Sequence, residues 1–213
     1  MEYDRAVDLY KNGLYEAAQR LFIKVRDNST DEGIKSDAAY YIANSAVRLN
    51  QPDADVMMED FVKKYPTSVR RNSAQLEVAN YYFEQGKYSQ AEKWYQKINP
   101  NILGMDEREK YYFNSGYIHF KANRKEQAQR DFNRVIRSEK YGSQAKYYIG
   151  YMAYEGDDYE KATEIFQEMQ DEGKYEKEVS YYQADMNFKQ GNFEKAIETG
   201  KAQYSKSGPH EKN

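Results

Sequence analysis

Across 213 residues there is no cysteine, and there are only two histidines and four prolines. Without cysteine, disulfides, thiolate metal sites and cysteine nucleophiles are excluded, while a reducing and an oxidising compartment both remain compatible with the chain. His119 and His210 have no second histidine, cysteine or suitable serine arrangement beside them, so no metal site, nucleophilic triad or cofactor is expected. No run of about eighteen apolar residues and no charged-then-apolar leader occurs, so nothing reads as a membrane span or a signal peptide. An excess of one charge is lacking too. Lys and Arg number 32 against 35 Asp and Glu, and a net charge of −3 gives no general attraction to nucleic acid or anionic membrane. The glycines are spread about one per turn, so no phosphate-cradling loop is present. The acidic pairs Asp157-Asp158 and Asp171-Glu172 fall at turns or helix ends, where carboxylates favour helix starts or solvent over general-acid work.

What is present is a repeat. Ala6, Ala43, Ala79, Gly116, Gly150 and Ala184 are each followed seven positions later by a turn former: Gly13, Asn50, Gly86, Asn123, Asp157 and Gly191. The units recur at spacings of 37, 36, 37, 34 and 34 residues, a period that marks stacked helical hairpins. In the third unit Ala74, Leu76, Val78, Ala79, Tyr82 and Phe83 carry helical spacing over Ser73 to Gln85, and Gly86 stops it. Tyr88, Ala91, Trp94, Tyr95 and Ile98 then predict a second helix that runs to Asn99-Pro100.

Within each hairpin, the second helix carries an alanine (Ala18, Ala91, Ala128, Ala162, Ala196), followed four residues later by Phe22, Tyr95, Phe132 or Phe166. The expectation is that small residue meets alanine where the helices cross, with the aromatic filling the gap one turn on. The second unit fits only with two residues inserted around Asn50-Gln51-Pro52, which predicts a longer inner loop. All four prolines fall between helices, and Asp106 with Glu109 predicts a reciprocal cap on the fourth unit.

This order of small residue, turn, aromatic, alanine and second aromatic resembles the tetratricopeptide repeat over essentially the entire chain. The resemblance implies an all-α, right-handed α-solenoid of about six hairpins, roughly 2–30, 35–66, 68–100, 106–139, 142–172 and 175–206, in a single array over 1–207. The stretch Phe61 to Ser68, with Ala74 and Tyr81 to Tyr88, is similar to repeats of bacterial cell-envelope adaptors, the outer-membrane assembly lipoprotein and the Tol-Pal coordinator. That similarity implies a periplasmic or outer-membrane-associated role. Gly200 stands where other units have an aromatic, so the last helix is expected to be weak. The polar tail 208–213 is expected to lead into further repeats.

The resemblance also implies that first helices line a concave groove. Positions three before, one after and five after each small residue share one face. That face supplies Asn44, Leu76, Asn80, Phe113, Tyr117, Tyr147, Tyr151, Tyr181 and Asp185 as candidate contacts to a protein or peptide, flanked by Tyr40, Arg48, Glu84, Lys121, Glu155 and Lys189. Tyrosine offers flat contact area at low entropic cost, and the asparagines can bond a peptide backbone. Lysines that would clamp a terminal carboxylate are missing from this face. The expected function is therefore a non-enzymatic scaffold with a protein or peptide partner. A glycan-binding module that stacks sugars on the same tyrosines is the alternative, and an RNA reader is disfavoured by the charge.

Overall fold

The computed structural model describes residues 2–169 and 173–206, with side chains as far as 202. Asp171-Glu172, Pro209, His210 and the tail 208–213 lie outside the described residues. Among the described residues there are twelve α-helices and no strand: α1 (Glu2–Lys11), α2 (Tyr15–Asn28), α3 (Glu32–Arg48), α4 (Ala54–Lys64), α5 (Arg71–Glu84), α6 (Tyr88–Tyr95), α7 (Met105–Lys121), α8 (Lys125–Asn133), α9 (Gly142–Glu155), α10 (Tyr159–Glu168), α11 (Glu176–Lys189) and α12 (Phe193–Lys206). By its contacts the chain forms two compact units, Met1–Tyr111 and Tyr112–Asn213.

One device ends every first helix. Gly13, Asn50, Gly86, Asn123, Asp157 and Gly191, the six turn positions of the repeat, all have positive φ, between 54° and 78°. The amide of the next residue then reaches back across six residues, as Leu14 does to Leu9, Lys87 to Tyr82 and Asp158 to Ala153. This left-handed stop satisfies carbonyls that the helix end would leave orphaned. Five of the connections within hairpins are three residues long, and the second hairpin's is five, residues 49–53, as the insertion predicts.

The close packing at the crossing involves the aromatic directly. In the second unit a β-carbon added to Gly116 would meet the Phe132 ring at 2.9 Å, and one added to Gly150 would meet Phe166 at 2.6 Å. At Gly116 and Gly150 the small residue thus makes room for the aromatic of the second helix. Phe22, Phe132 and Phe166 are fully buried, and each such side chain contributes about 1.5–3 kcal/mol by leaving water.

The following hairpin then stacks on the same ring. Tyr41 lies face to face on Phe22 at 4.6 Å, Tyr148 on Phe132 at 5.2 Å and Tyr182 on Phe166 at 5.7 Å, with ring planes within 15° of parallel. Each of these tyrosines precedes its unit's small residue by two positions, so one register carries both the crossing and the stack. Gly200 breaks the pattern. Helix α12 extends over 14 residues, but none of its described side chains is buried, and Phe193 and Ile197 are each 56% exposed.

Two local readings need correction. The α7 cap is made by Glu107, whose carboxylate accepts the Gly104 amide at 3.3 Å, and not by Asp106 with Glu109, because the helix starts at Met105. Helix α6 ends at Tyr95, earlier than the spacing predicts, although Ile98 is still buried beyond it.

Candidate partner-binding face

The repeat register decides which first-helix side chains reach the surface. In the first unit the stripe is largely sealed. Asn44 is 1% exposed, and its amide donates to the Tyr40 hydroxyl at 3.1 Å and to Glu77 Oε2 at 2.6 Å; Tyr40 donates to the same carboxylate. Burial and the Glu77 charge hold the Tyr40 phenol far above the usual range. Leu76 is 4% exposed and Phe113, in the second unit, 6%. These three expected contacts are core residues instead. Asn44 faces Glu77 of the following hairpin and Phe113 lies on Tyr141; an amide in such a place must be satisfied internally.

Asn80 is half-buried and accepts a hydrogen bond from Tyr95 at 2.6 Å, joining α5 to α6. Arg48 lies 5.2 Å from the centre of the Tyr81 ring. Arg70, from the loop before α5, reaches Asp37 at 2.9 Å and covers the Tyr40 and Tyr41 rings at 5.0 Å. Arg48 and Arg70 thus lie over the Tyr81, Tyr40 and Tyr41 rings, as Lys174 and Lys189 lie over Tyr175 and Tyr154 in the second unit.

In the second unit the stripe tyrosines are more accessible. Tyr117, Tyr147 and Tyr151 are half-buried and Tyr181 is 59% exposed. Tyr147 stacks on Tyr175 at 4.7 Å and 14°. Tyr151 touches Phe120, Tyr147, Tyr154 and Tyr182 with ring centres 5.5 to 6.4 Å away. Tyr117 meets Tyr148 edge-on at 5.6 Å. The result is an aromatic ladder on α7, α9 and α11 with faces and edges left accessible.

The hydroxyls of this ladder are largely spoken for. Tyr151 donates to Glu155 at 2.7 Å, and that bond, aided by burial, pushes its phenol up to about 12. Tyr147 is raised by burial and by its hydrogen bond with Tyr182. Tyr154 donates to Asp185 at 2.6 Å, and Lys189 also reaches Asp185, at 2.9 Å. The Tyr154 bond first and the lysine second hold the Asp185 carboxyl below its ordinary range. At Tyr147, Tyr151 and Tyr154 the accessible surface is therefore ring rather than free phenol.

The sequence stripe did not include Phe120, Tyr154, Tyr175 or Tyr182. The signal was in the period: an aromatic recurs three residues before the turn, at Tyr10, Phe83, Phe120, Tyr154 and Phe188, and meets another across it, as Tyr10 does Tyr15 at 5.3 Å and Phe83 does Tyr88 at 5.4 Å.

Elsewhere, Asp158 caps α10 by accepting the Lys161 amide at 3.3 Å. His119 Nδ1 lies 2.7 Å from Asp131, whose carboxyl burial pushes up against the pull of the imidazole; both side chains are under 20% exposed. Among the described residues, no three His, Asp or Glu side chains converge as metal ligands would, and no helix is long and apolar enough to cross a membrane.

Residues 113–177 and 37–68 match models of the tetratricopeptide repeat. No curated protein matches the chain. Among solved structures, a tetratricopeptide repeat protein from Parabacteroides merdae ATCC 43184 is similar with a TM-score of 0.61 at 13% identity, over 98% of this chain and 79% of that one. Pseudomonas aeruginosa PilF is similar with a TM-score of 0.58 at 15% identity, over 98% and 91% of the two chains. At these identities the likeness concerns the fold: the described residues are all-helical, and residues 37–68 and 113–177 are similar to tetratricopeptide repeats.

Proposed function

We propose that this chain is a non-enzymatic scaffold that holds a peptide or an extended segment of a partner protein against the first helices of its second unit. Tetratricopeptide repeats generally mediate protein–protein interaction, and the observation that carries the reading here is the accessible ladder of Tyr117, Tyr147, Tyr151 and Tyr181. Rigid aromatic surfaces bury much area while immobilising few rotatable bonds, which favours partner capture by shape. The first unit contributes little to such contact, because Asn44 and Leu76 are sealed and Arg70 lies over the neighbouring rings. An assembly role at the bacterial cell envelope is part of the proposal, supported by the resemblance of Phe61 to Ser68 and Tyr81 to Tyr88 to envelope repeats.

The test is capture of partners from an extract of the source cells by the wild-type chain, by Tyr117→Ala and Tyr151→Ala, and by Glu164→Ala on the exposed side of α10. The tyrosine variants are expected to lose most of the captured protein with unchanged helical circular dichroism, and the α10 variant to keep it. Equal capture by all four proteins would remove this face from the function.

A further inference from the structure

The chain shows repeatedly how its tyrosines handle positive charge. The Tyr154 hydroxyl donates to Asp185, and Lys189 sits 4.8 Å above the ring. Tyr82 donates to Asp55 at 2.7 Å with Lys87 at 5.8 Å, and Tyr159 donates to Asp157 at 2.7 Å with Lys189 at 5.9 Å. Tyr40 donates to Glu77 beneath Arg70. The physics is common to all four. A phenol that donates to an anion becomes richer in electrons, and the nearby carboxylate adds its own attraction, so a cation settles on the ring face.

Tyr151 has the first half of this arrangement without the second. Its hydroxyl donates to Glu155, but no lysine or arginine among the described residues covers its ring. Lys125 faces Glu155 Oε2 at 3.7 Å with both side chains about 40% exposed, the kind of surface pair that water and salt weaken. Around the ring stand Phe120, Tyr147 and Tyr182, with Tyr147 near-parallel at 19°. Glu178 acts on Tyr147 from α11, while Asp185 is already paired with Lys189. The enclosure is therefore aromatic and, at Glu155 and Glu178, acidic.

Building on the proposed partner-binding face, we infer that Tyr151 and Glu155 form a receptor for an arginine side chain of the bound segment. Arginine suits the site better than lysine. Its planar guanidinium stacks on a ring and presents paired N–H groups to a carboxylate, whereas an ammonium is a compact charge that holds its water more tightly. Glu155 Oε1 already accepts from Tyr151, so the guanidinium would address the remaining lone pairs of that carboxylate while covering the ring.

The experiment uses a heptapeptide of glycine and proline with one central arginine, and the same peptide with citrulline, which keeps the shape and drops the charge. Binding is followed by amide chemical shifts of the isotope-labelled chain. The arginine peptide is expected to shift signals of residues 147–155 and to bind roughly five-fold or more tightly than the citrulline peptide, within the range of a partly desolvated cation–π contact. Glu155→Gln and Tyr151→Leu should each remove that preference with the helical spectrum intact, and Lys125→Ala should strengthen it. Equal binding of the two peptides, or shifts elsewhere on the chain, would overturn the receptor. If capture of cellular partners still depended on Tyr151 in that case, the docking face would stand and only the arginine preference would fall. Loss of both would remove both readings.

Discussion

The ring of Phe166 occupies the space that a β-carbon on Gly150 would need: the two would approach to 2.6 Å. Glycine is thus required in α9 by its neighbour, and the neighbour in turn supports Tyr182 of the next hairpin. Gly150→Ala should cost about 1–3 kcal/mol through the displaced ring, a clear fall in the urea midpoint. Gly200 faces open space, where nothing lies within 4 Å of an added β-carbon. Gly200→Ala should therefore raise stability by up to about 1 kcal/mol through helix propensity. If both variants shifted the midpoint in the same direction by the same amount, this packing argument would be lost.

The buried triad of Tyr40, Asn44 and Glu77 should behave as one polar network. Glu77→Ala takes away the acceptor of the Tyr40 hydroxyl and leaves the buried Asn44 amide with that hydroxyl as its remaining partner, and should cost about 1–3 kcal/mol. Tyr40→Phe in that background should cost much less than it does alone, because its partner is already gone. A double-mutant cycle by urea denaturation checks this, and strictly additive losses would contradict it.

Alkaline pH should unfold the chain by way of its tyrosines. Tyr3 and Tyr10, chiefly by burial, and Tyr151, chiefly by its bond to Glu155, are pushed up to about 12. In the unfolded chain a tyrosine ionises near 10. Between these values the folded state keeps protons that the unfolded state has released, so the stabilisation is complete below about 10 and is lost as pH climbs through about 12. The urea midpoint should fall steadily above about pH 10, with tyrosinate absorbance rising as unfolding occurs. A midpoint that stays level to about pH 11.5 would count against these bonds.

Much of the fold was legible because it rests on local chemistry repeated in register. Six turn formers at matching positions could do only one thing to a helix, and each adopts positive φ. The extra residues around Pro52 announced a longer loop, and one is there. The site was legible only in part. The stripe's geometry named Tyr117, Tyr147, Tyr151 and Tyr181, which keep accessible surface, yet the same geometry also named Asn44, Leu76 and Phe113, which are buried. Helical spacing fixes the direction in which a side chain points from its own axis. It carries no information on what the next hairpin places there.

The sequence by itself determined the elements, their ends and their order, since helix periodicity and left-handed turns depend on residues a few positions apart. Only the tertiary structure decided which tyrosines are walls and which are surface. Arg70 reaches Tyr40 from thirty positions away, whereas Tyr151 meets a carboxylate four residues on and, among the described residues, no covering cation. Contacts between hairpins are set by how rings and small residues interlock in space, and that interlocking is a property of neighbours that a single helix does not contain.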